Sequence, residues 1–406
     1  MRRISMPASG GWKSSGLISF LAASLVLGIP TSQVRAQALP EGDTGIAARY
    51  INDEGIADSP QVVFADNFES LTETNLSAEN SAWDNAWGEI VVVKSAATVH
   101  AGAQAIQITH TDNNSIGAWR DFGDGGFDTL HVRYYMKYHA DFPGCHHTGM
   151  SLLAAAPGLD QGSSTGVRPT GTNHYQVLLD NIAPFFDWGP PGNIAPGMTA
   201  LYTYHMDQAG DYGDHFFPSG DSLPGGRDLF GDSFEPRTDF TLERDRWYSF
   251  ELMMSANTVG QQNGRIAFWI DGKLSGDFPN LRLRDIETLK TNFVVLTTYS
   301  SQRHDNKVLW YDDVVVATEY IGPMVTDSPP TEDSGSSLNS DVGPGDTMVR
   351  DSHPTAHPSE DGGADSNLDS DAGGCACRVA GKREQALSWW LLGIFGLLRA
   401  RRRRSP

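Results

Sequence analysis

An alternation of apolar and polar residues with a period of two is the feature that most constrains the fold of this 406-residue chain. In residues 131–138 every second side chain is apolar or aromatic, and residues 247–254 repeat the pattern. Successive side chains of a strand point to opposite faces, so this period predicts strands that have one covered face. Helical periodicity is scarce between residues 61 and 323, and the sequence therefore predicts an all-β domain.

Further short runs of the same kind predict more strands. They are residues 62–64, 105–109, 175–179, 201–205, 265–271, 293–299 and 308–318. The run 265–271 closes on Asp271-Gly272, a dipeptide typical of tight hairpin turns. Many short strands separated by Gly, Pro and Asp favour a two-sheet sandwich or jelly roll. Residues 207–239 are rich in Gly, Pro and Asp and predict a long lid or binding loop.

The first residues predict export. A basic segment precedes an apolar run at residues 16–29, and Pro30, small residues and an Ala-x-Ala-like site follow. The run is too short to span a bilayer comfortably, which favours a secretory signal peptide over an anchor. We assign the signal peptide to residues 1–38 and one globular domain to residues 39–323, a length that all-β domains commonly reach as one unit.

A strongly acidic segment follows the domain. Residues 324–374 consist mainly of Ser, Pro, Gly, Asp and Thr, and they carry eleven acidic residues against one arginine, about half of the chain's net charge of −20. Such a composition buries too little apolar surface to offset the entropy of ordering. The sequence predicts a disordered, extended stalk here.

The last segment, residues 375–406, combines three features in a fixed order. Cys375 and Cys377 come first, a short apolar stretch at residues 386–398 follows, and an arginine block ends the chain. This order resembles the C-terminal sorting tag of myxobacterial surface proteins. The resemblance implies processing near the cysteines by sorting machinery and display at the cell surface or outer envelope, with release as a further outcome. A plain C-terminal tail anchor is the alternative.

Four segments of the domain resemble the concanavalin A-like jelly rolls of the alginate and glucuronan lyases. In order they are Val132-Arg133-Tyr134-Tyr135 with Asp141-Phe142-Pro143-Gly144, Tyr202-Thr203-Tyr204-His205 with Gly210-Asp211-Tyr212-Gly213-Asp214, Arg246-Trp247-Tyr248 through Trp269-Ile270-Asp271-Gly272-Lys273, and Leu309-Trp310-Tyr311-Asp312-Asp313-Val314 through Tyr320-Ile321-Gly322. The resemblance covers most of residues 61–323. It implies a two-sheet jelly roll and cleavage of a uronic-acid-containing glycan by β-elimination.

The chemistry of β-elimination selects candidate catalytic residues. The reaction needs a neutralised C5 carboxylate, a base for the C5 proton and a proton donor for the leaving oxygen. Tyr202 and Tyr204 stand at i and i+2, so both phenols share one face, and His174 and Gln176 have the same relation. His146 lies where the alginate-cleaving relatives carry a lysine, and Gln176 where they carry an arginine. We assign Gln176 to the carboxylate, His146 or His174 to proton abstraction, and Tyr204 to base or acid work.

Each assignment has a structural alternative. A tyrosine pair at i and i+2 also packs one face of a sheet for stability. His146 and His147 follow Cys145 and could ligate zinc, but adjacent residues of an extended chain diverge, and two ligands need partners from elsewhere. A basic-aromatic stripe suits an anionic glycan or is an ordinary solvated strand face. Its members are Arg133, Tyr135 and Lys137.

No cofactor is required by this chemistry. Jelly rolls of this type often hold a structural Ca²⁺ where the first and last strands meet, and Asp66 and Asp313 are placed for such a site, although both could be turn and edge residues. The domain is not basic, which argues against a nucleic acid partner. We expect a monomer whose partner is an acidic polysaccharide.

Two functions remain open on this basis. The first is an exported polysaccharide lyase, and the second is a surface glycan-binding lectin that uses the same groove without turnover. A glycoside hydrolase is disfavoured because the sequence lacks a Glu-x-Asp-x-x-Glu strand of the glucanase type.

Overall fold

The computed structural model of the protein describes residues 38–112, 114–185, 193–208, 210–218, 242–301 and 306–327. All of them belong to the unit Met1–Asp333. The predicted signal peptide, acidic stalk and C-terminal tag lie outside these ranges except for a few residues at their inner ends, and they stay predictions. Of the predicted loop 207–239, residues 209 and 219–239 also lie outside. Within the described ranges, no helix is long and apolar enough to cross a membrane.

Eight strands form the first sheet, in which neighbouring strands are antiparallel. They are β1 (Val62–Asp66), β3 (Ile90–Val93), β4 (Ala105–His110), β6 (Thr129–Tyr138), β11 (Trp247–Ser255), β12 (Gly264–Ile270), β13 (Lys273–Leu281) and β15 (Lys307–Ala317). Their order is β13-β12-β11-β6-β15-β4-β3, and β1 pairs with β15. The strands β6 and β15 therefore lie in the middle of this sheet.

Seven strands form the second sheet, which is also antiparallel. They are β2 (Asn85–Trp87), β5 (Asn114–Asp121), β7 (Met150–Ala155), β8 (His174–Ile182), β9 (Met198–Tyr204), β10 (Asp214–Phe216) and β14 (Phe293–Ser300). Their order is β10-β9-β8-β7-β14-β5-β2. The all-β, two-sheet jelly-roll sandwich predicted from the sequence is confirmed.

Helices are few and short in the described part of the chain. Three 3-10 helices precede β1, at Ile46–Arg49, Ile51–Asp53 and Ile56–Asp58. One α-helical turn, α1 (Gln161–Ser164), follows β7 and begins at Asp160, whose carboxylate accepts a hydrogen bond from the Ser163 N–H.

The core lies between the sheets and follows from the alternation. Tyr134 and Met136 of β6 point into it and are buried, as the sequence predicted. On the second sheet, Tyr175 and Val177 of β8 do the same. The intervening residues of β8 consequently point to the outer face of the second sheet, where the candidate active site lies.

The predicted hairpin at Asp271-Gly272 joins β12 to β13. Both residues have positive φ angles, 50° and 74°, and Ile270 pairs with Lys273 across the turn. Two consecutive left-handed residues are what a two-residue hairpin loop requires, and Gly adopts that conformation without a steric penalty.

Six strands were missed by the sequence analysis: β2, β3, β5, β7, β10 and β13. Residues 150–155 of β7 are buried on both faces, so their apolar and small side chains show no alternation. The strand β13 contains Gly276 and Pro279, which weaken a strand signal, and it tolerates them because it lies at the edge of the first sheet.

The outer face of the first sheet is not the solvated strand face that the sequence left open. Arg133, Tyr135 and Lys137 do alternate with the core residues of β6, but they are 0%, 6% and 7% exposed. The guanidinium of Arg133 pairs with Asp53 of the N-terminal segment, and the Tyr135 hydroxyl accepts a hydrogen bond from the Met324 N–H at 2.8 Å. The chain segments on either side of the sandwich strands therefore cover this face.

Two adjacent carboxyls are buried under this cover. Asp312 accepts hydrogen bonds from the N–H groups of His100 at 2.9 Å and Asp313 at 3.0 Å, and Asp313 contacts the His100 ring at 2.7 Å. Burial, followed by the negative charge of Asp313, raises the pKa of Asp312 to about 8. Arg133 and Asp53 are the other charged groups whose electrostatic influence reaches this pair.

This raised pKa predicts a loss of stability with rising pH. The folded state holds a proton on Asp312 that the unfolded state releases, so the free energy of unfolding falls as the pH rises from the ordinary aspartate range through about 8. Each pH unit costs at most about 1.4 kcal/mol, which is roughly 3 °C in Tm for a domain of this size. Asp312→Asn should flatten the dependence of Tm on pH between pH 5 and pH 9. Parallel curves for the two proteins would contradict the prediction.

Candidate active site

The outer face of the second sheet brings together the tyrosines and the glutamine predicted to act in catalysis. Tyr202 and Tyr204 of β9 alternate with Leu201 and Thr203, so both phenols point away from the core. Gln176 of β8 is the register partner of Tyr204. The i and i+2 relation read from the sequence therefore holds in the structure.

The two tyrosines form a hydrogen-bonded pair. Their hydroxyl oxygens are 3.1 Å apart. The Tyr202 oxygen also accepts a hydrogen bond from the Gly213 N–H at 3.2 Å, and the Tyr204 oxygen accepts one from the Gly166 N–H at 3.1 Å. Two hydroxyl protons serve the pair and one of them occupies the bond between the oxygens, so the other proton is available outside it.

The two phenols differ in exposure. Tyr204 is 3% exposed, whereas Tyr202 is half-buried. Either hydroxyl can donate in the bond between them, and Tyr202 is the more accessible of the two. Burial raises the pKa of both phenols, and the neighbouring Tyr204 raises that of Tyr202 further. Both are therefore neutral proton donors near pH 7.

A histidine that the sequence suggested only as a metal ligand lies against Tyr202. The rings of His147 and Tyr202 stack with centroids 5.1 Å apart. The Nδ1 atom of His147 is 2.6 Å from an oxygen of Asp180, a fully buried residue of β8. Since a carboxylate only accepts hydrogen bonds, Nδ1 carries a proton in this contact, and in the neutral form of the ring Nε2 is the acceptor.

Backbone N–H groups also hold the Asp180 carboxylate in place. Its second oxygen accepts hydrogen bonds from the N–H groups of Thr148 at 2.9 Å and Asn181 at 2.8 Å. The carboxylate thus connects β8 to the segment that leads into β7, and it orients the His147 ring at the end of the sheet. The side chain of His147 is 22% exposed, so part of it is accessible to solvent.

Three more aromatic side chains surround this group. The ring of His215 in β10 stacks on Tyr202 with centroids 4.8 Å apart. The ring of His146 lies 4.4 Å from that of His147 and 5.0 Å from that of Tyr299 in β14. His146, assigned from the sequence to proton abstraction, is therefore at the site but one position away from the histidine that Asp180 orients.

The side chain of Gln176 is half-buried, and that of His174 is buried. The Gln176 amide accepts from the Ser164 hydroxyl at 3.0 Å and donates to the Ser151 hydroxyl at 3.2 Å. The second N–H of the amide takes part in neither contact. His174 is 1% exposed, and burial lowers its pKa, so it is a neutral side chain beneath the surface. Its ring lies 5.9 Å from that of Tyr204, and proton abstraction from a glycan by His174 would need this cover to open.

The remaining predicted residues lie elsewhere. Arg133, Tyr135 and Lys137 belong to the first sheet and are buried, so they cannot contact a glycan at this site. The oxygens of Asp66 accept from the Phe68 N–H at 2.8 Å and the Trp83 Nε1–H at 2.9 Å. In the part of the chain that the structure describes, no group of three or more His, Cys, Asp or Glu side chains could hold a metal ion. The Ca²⁺ site at Asp66 and Asp313 stays a prediction, and Cys375 and Cys377 lie outside the described residues.

Four residues at this site were not assigned to it by the sequence analysis: His147, Asp180, His215 and Tyr299. Asp180 has the same parity as His174 and Gln176 in β8, and its being the one acidic residue of that strand was the signal available. The contact between His147 and Asp180 joins residues 33 positions apart, which no local pattern reveals.

The comparisons with known proteins give only distant likenesses. No protein-family model matches the chain, and no curated protein matches it. Among solved structures, the alginate lyase Aly36B in complex with alginate trisaccharide is similar at 15% identity and a TM-score of 0.45, over 64% of this chain and 100% of that one. The alginate lyase vAL-1 from Chlorella virus is similar at 14% identity and 0.43, over 64% and 100%. An endo-beta-1,4-glucuronan lyase from the fungus Trichoderma reesei is similar at 13% identity and 0.37, over 61% and 95%. Since these TM-scores are below 0.5, the fold assignment rests on the two sheets themselves.

Proposed function

We propose that the protein is a polysaccharide lyase that cleaves an acidic, uronic-acid-containing glycan by β-elimination on the outer face of the second sheet. The observation that supports this proposal is the stacking of His147, whose ring Asp180 orients, on Tyr202, the more exposed phenol of a hydrogen-bonded tyrosine pair. A histidine nitrogen that accepts a proton and a phenol hydroxyl that donates one are the pair that the reaction needs.

The proposed step balances without water or a cofactor. The C5–H bond of the uronate breaks and its electron pair forms the C4–C5 double bond, while the C4–O4 bond breaks and its electron pair stays on O4. His147 Nε2 takes the C5 proton, and Tyr202 gives its hydroxyl proton to O4. The remaining N–H of Gln176 binds the C5 carboxylate, which stabilises the charge that develops there. Proton return from His147 to Tyr202 restores the resting state.

Export of the protein and its display at the cell surface are part of the same proposal. We infer export from the basic and apolar N-terminal segment, and display at the cell surface from the cysteine, apolar and arginine segments of the C-terminal tag. An acidic stalk between domain and tag would hold the domain away from the surface. Such a position suits an enzyme whose substrate is an extracellular polysaccharide.

The test uses the purified full-length chain on glucuronan, alginate and pectate. We expect one of these to yield products with the ultraviolet absorbance of an unsaturated uronate and a mass one water lighter than hydrolysis products. The carboxyl-reduced form of the same glycan should be inert, because its C5 proton is no longer acidified by a carboxylate. Binding without cleavage would make the domain a lectin, and hydrolytic products would overturn the elimination chemistry.

A further inference from the structure

The outer face of the second sheet becomes apolar and aromatic toward β14, β5 and β2. A buried apolar floor lies there, formed by Leu153, Ala155, Phe293 and Val295. Trp87 and Trp119 pack against this floor and are only half-buried. Because Leu153 is the register partner of Gln176, this aromatic end is continuous with the candidate active site.

Trp87 is held flat against the sheet. It lies opposite Gly117 of β5, and a Cβ atom on Gly117 would come within 2.6 Å of the Trp87 ring. The indole therefore lies over a point of the strand that has no side chain. Its Nε1–H donates to the Ser115 hydroxyl at 3.0 Å. These two contacts fix an indole that is partly open to solvent, which is a preorganised apolar surface.

The register of the sheet places this surface in line with the reacting group. One row of outward-facing residues crosses the strands in the order Tyr202, Leu178, Ser151, Val295 and Trp119. The three residues between its ends are buried, so the row gives the distance between the ends and not an exposed path. Neighbouring strands are about 4.8 Å apart, so four spacings separate Tyr202 from Trp119 by roughly 19 Å. The path from His147 through Tyr299 and the adjacent Ser115 leads to Trp87 in the same direction.

We propose that Trp87 and Trp119 are a sugar-binding platform for pyranose rings of the same acidic glycan, roughly two to four residues away from the cleaved bond. The inference rests on the proposed function, since it assigns the remainder of that substrate's path. The C–H face of a pyranose packs on the electron-rich face of an indole. The exposed Ser115 hydroxyl beside Trp87 can bond to the hydroxyl edge of the sugar.

The platform makes the affinity depend on the length of the glycan. A disaccharide can occupy the group around Tyr202 without reaching Trp119, whereas an extended chain of about five residues covers the distance between them. Long chains should gain affinity from the indoles and short chains should not. The protein would then act within long chains and process short ones poorly.

The test compares Trp87→Ala and Trp119→Ala with the full-length wild type. The control is Trp247→Ala, which removes a half-buried tryptophan from the first sheet. Calorimetry measures binding of uronic acid oligosaccharides from two to seven residues, and cleavage is followed on the same samples. We expect each platform variant to bind the longest oligosaccharides about tenfold more weakly, with unchanged binding of the disaccharide and a Tm similar to that of the control.

The outcomes separate this inference from the proposed function. Equal affinities of wild type and both platform variants at every length, on a glycan that is cleaved, would overturn the platform and leave the lyase standing. A length-dependent loss in a protein that binds but never cleaves would keep the platform and overturn the lyase. A wild type that neither binds nor cleaves any acidic oligosaccharide would overturn both.

Discussion

Tyr202→Phe should abolish most of the lyase activity, whereas Tyr204→Phe should reduce it far less. The removed Tyr202 hydroxyl is the one that we assign to protonation of the leaving oxygen, and general acid catalysis by a positioned side chain contributes about 10²- to 10⁴-fold. We expect a loss of kcat in that range with little change in KM, because the ring that stacks on His147 is retained. Initial rates on the cleaved glycan measure the effect.

Tyr204→Phe acts differently because Tyr204 supports Tyr202. The variant leaves the Gly166 N–H without its acceptor and removes the hydrogen bond between the two phenol oxygens. We expect kcat to fall by about tenfold and the free energy of unfolding to fall by about 1 kcal/mol, the usual cost of a lost hydrogen bond. A larger loss of activity in Tyr204→Phe than in Tyr202→Phe would return the acid role to Tyr204, the residue assigned to base or acid work from the sequence.

The fold was predictable because its signal is local. Residues 131–138 and 247–254 alternate over their whole length, and each forms a central strand of the first sheet. The same rule places Tyr202 and Tyr204 on one face from the sequence alone. Alternation reports which side chains share a face, and this information needs no contact between distant segments.

The burial of the first sheet's outer face and the contacts within the candidate site were not predictable, because they depend on which distant segments cover each face of a sheet. The alternation in β6 separated Arg133 from the core correctly but could not show that Asp53, eighty positions earlier, lies on it. The binding stripe was therefore misplaced. For the same reason the sequence could not indicate that Asp180 orients His147, since their contact appears only when the segment before β7 is placed beside β8.

Asp180→Asn should cost as much activity as the loss of the acid, although it changes a residue that does not touch substrate. The asparagine oxygen can still accept from the Thr148 and Asn181 N–H groups, but its NH₂ group would donate to His147 Nδ1. The ring proton would move to Nε2, and the atom that takes the C5 proton would no longer be an acceptor. We expect kcat to fall by about 10²- to 10⁴-fold, with a Tm close to that of the wild type.

The first sheet offers a matched control for this positioning role. His131 Nδ1 lies 2.8 Å from Glu251, whose buried carboxylate also accepts from the Ile321 and Gly322 N–H groups. Glu251→Gln replaces a second histidine-bound carboxylate by an amide far from the candidate active site. Because each Glu251 oxygen accepts a backbone N–H group, the amide NH₂ must face one of them, so this variant should lose stability but leave kcat unchanged. Nitrogen NMR of the two histidine rings reports the tautomer directly, and a shift at His147 in Asp180→Asn must accompany the loss of kcat.

A purely structural role for Asp180 predicts a different result. In that case Asp180→Asn and Asp180→Ala would lose activity in proportion to their loss of stability, and the His147 tautomer would stay unchanged in the asparagine variant. Asp180→Ala leaves two N–H groups unpaired, at about 1–3 kcal/mol each, so its Tm must fall on either view. Only the positioning role predicts an asparagine variant that is stable, folded and inactive, because only that role depends on which nitrogen of His147 carries the proton.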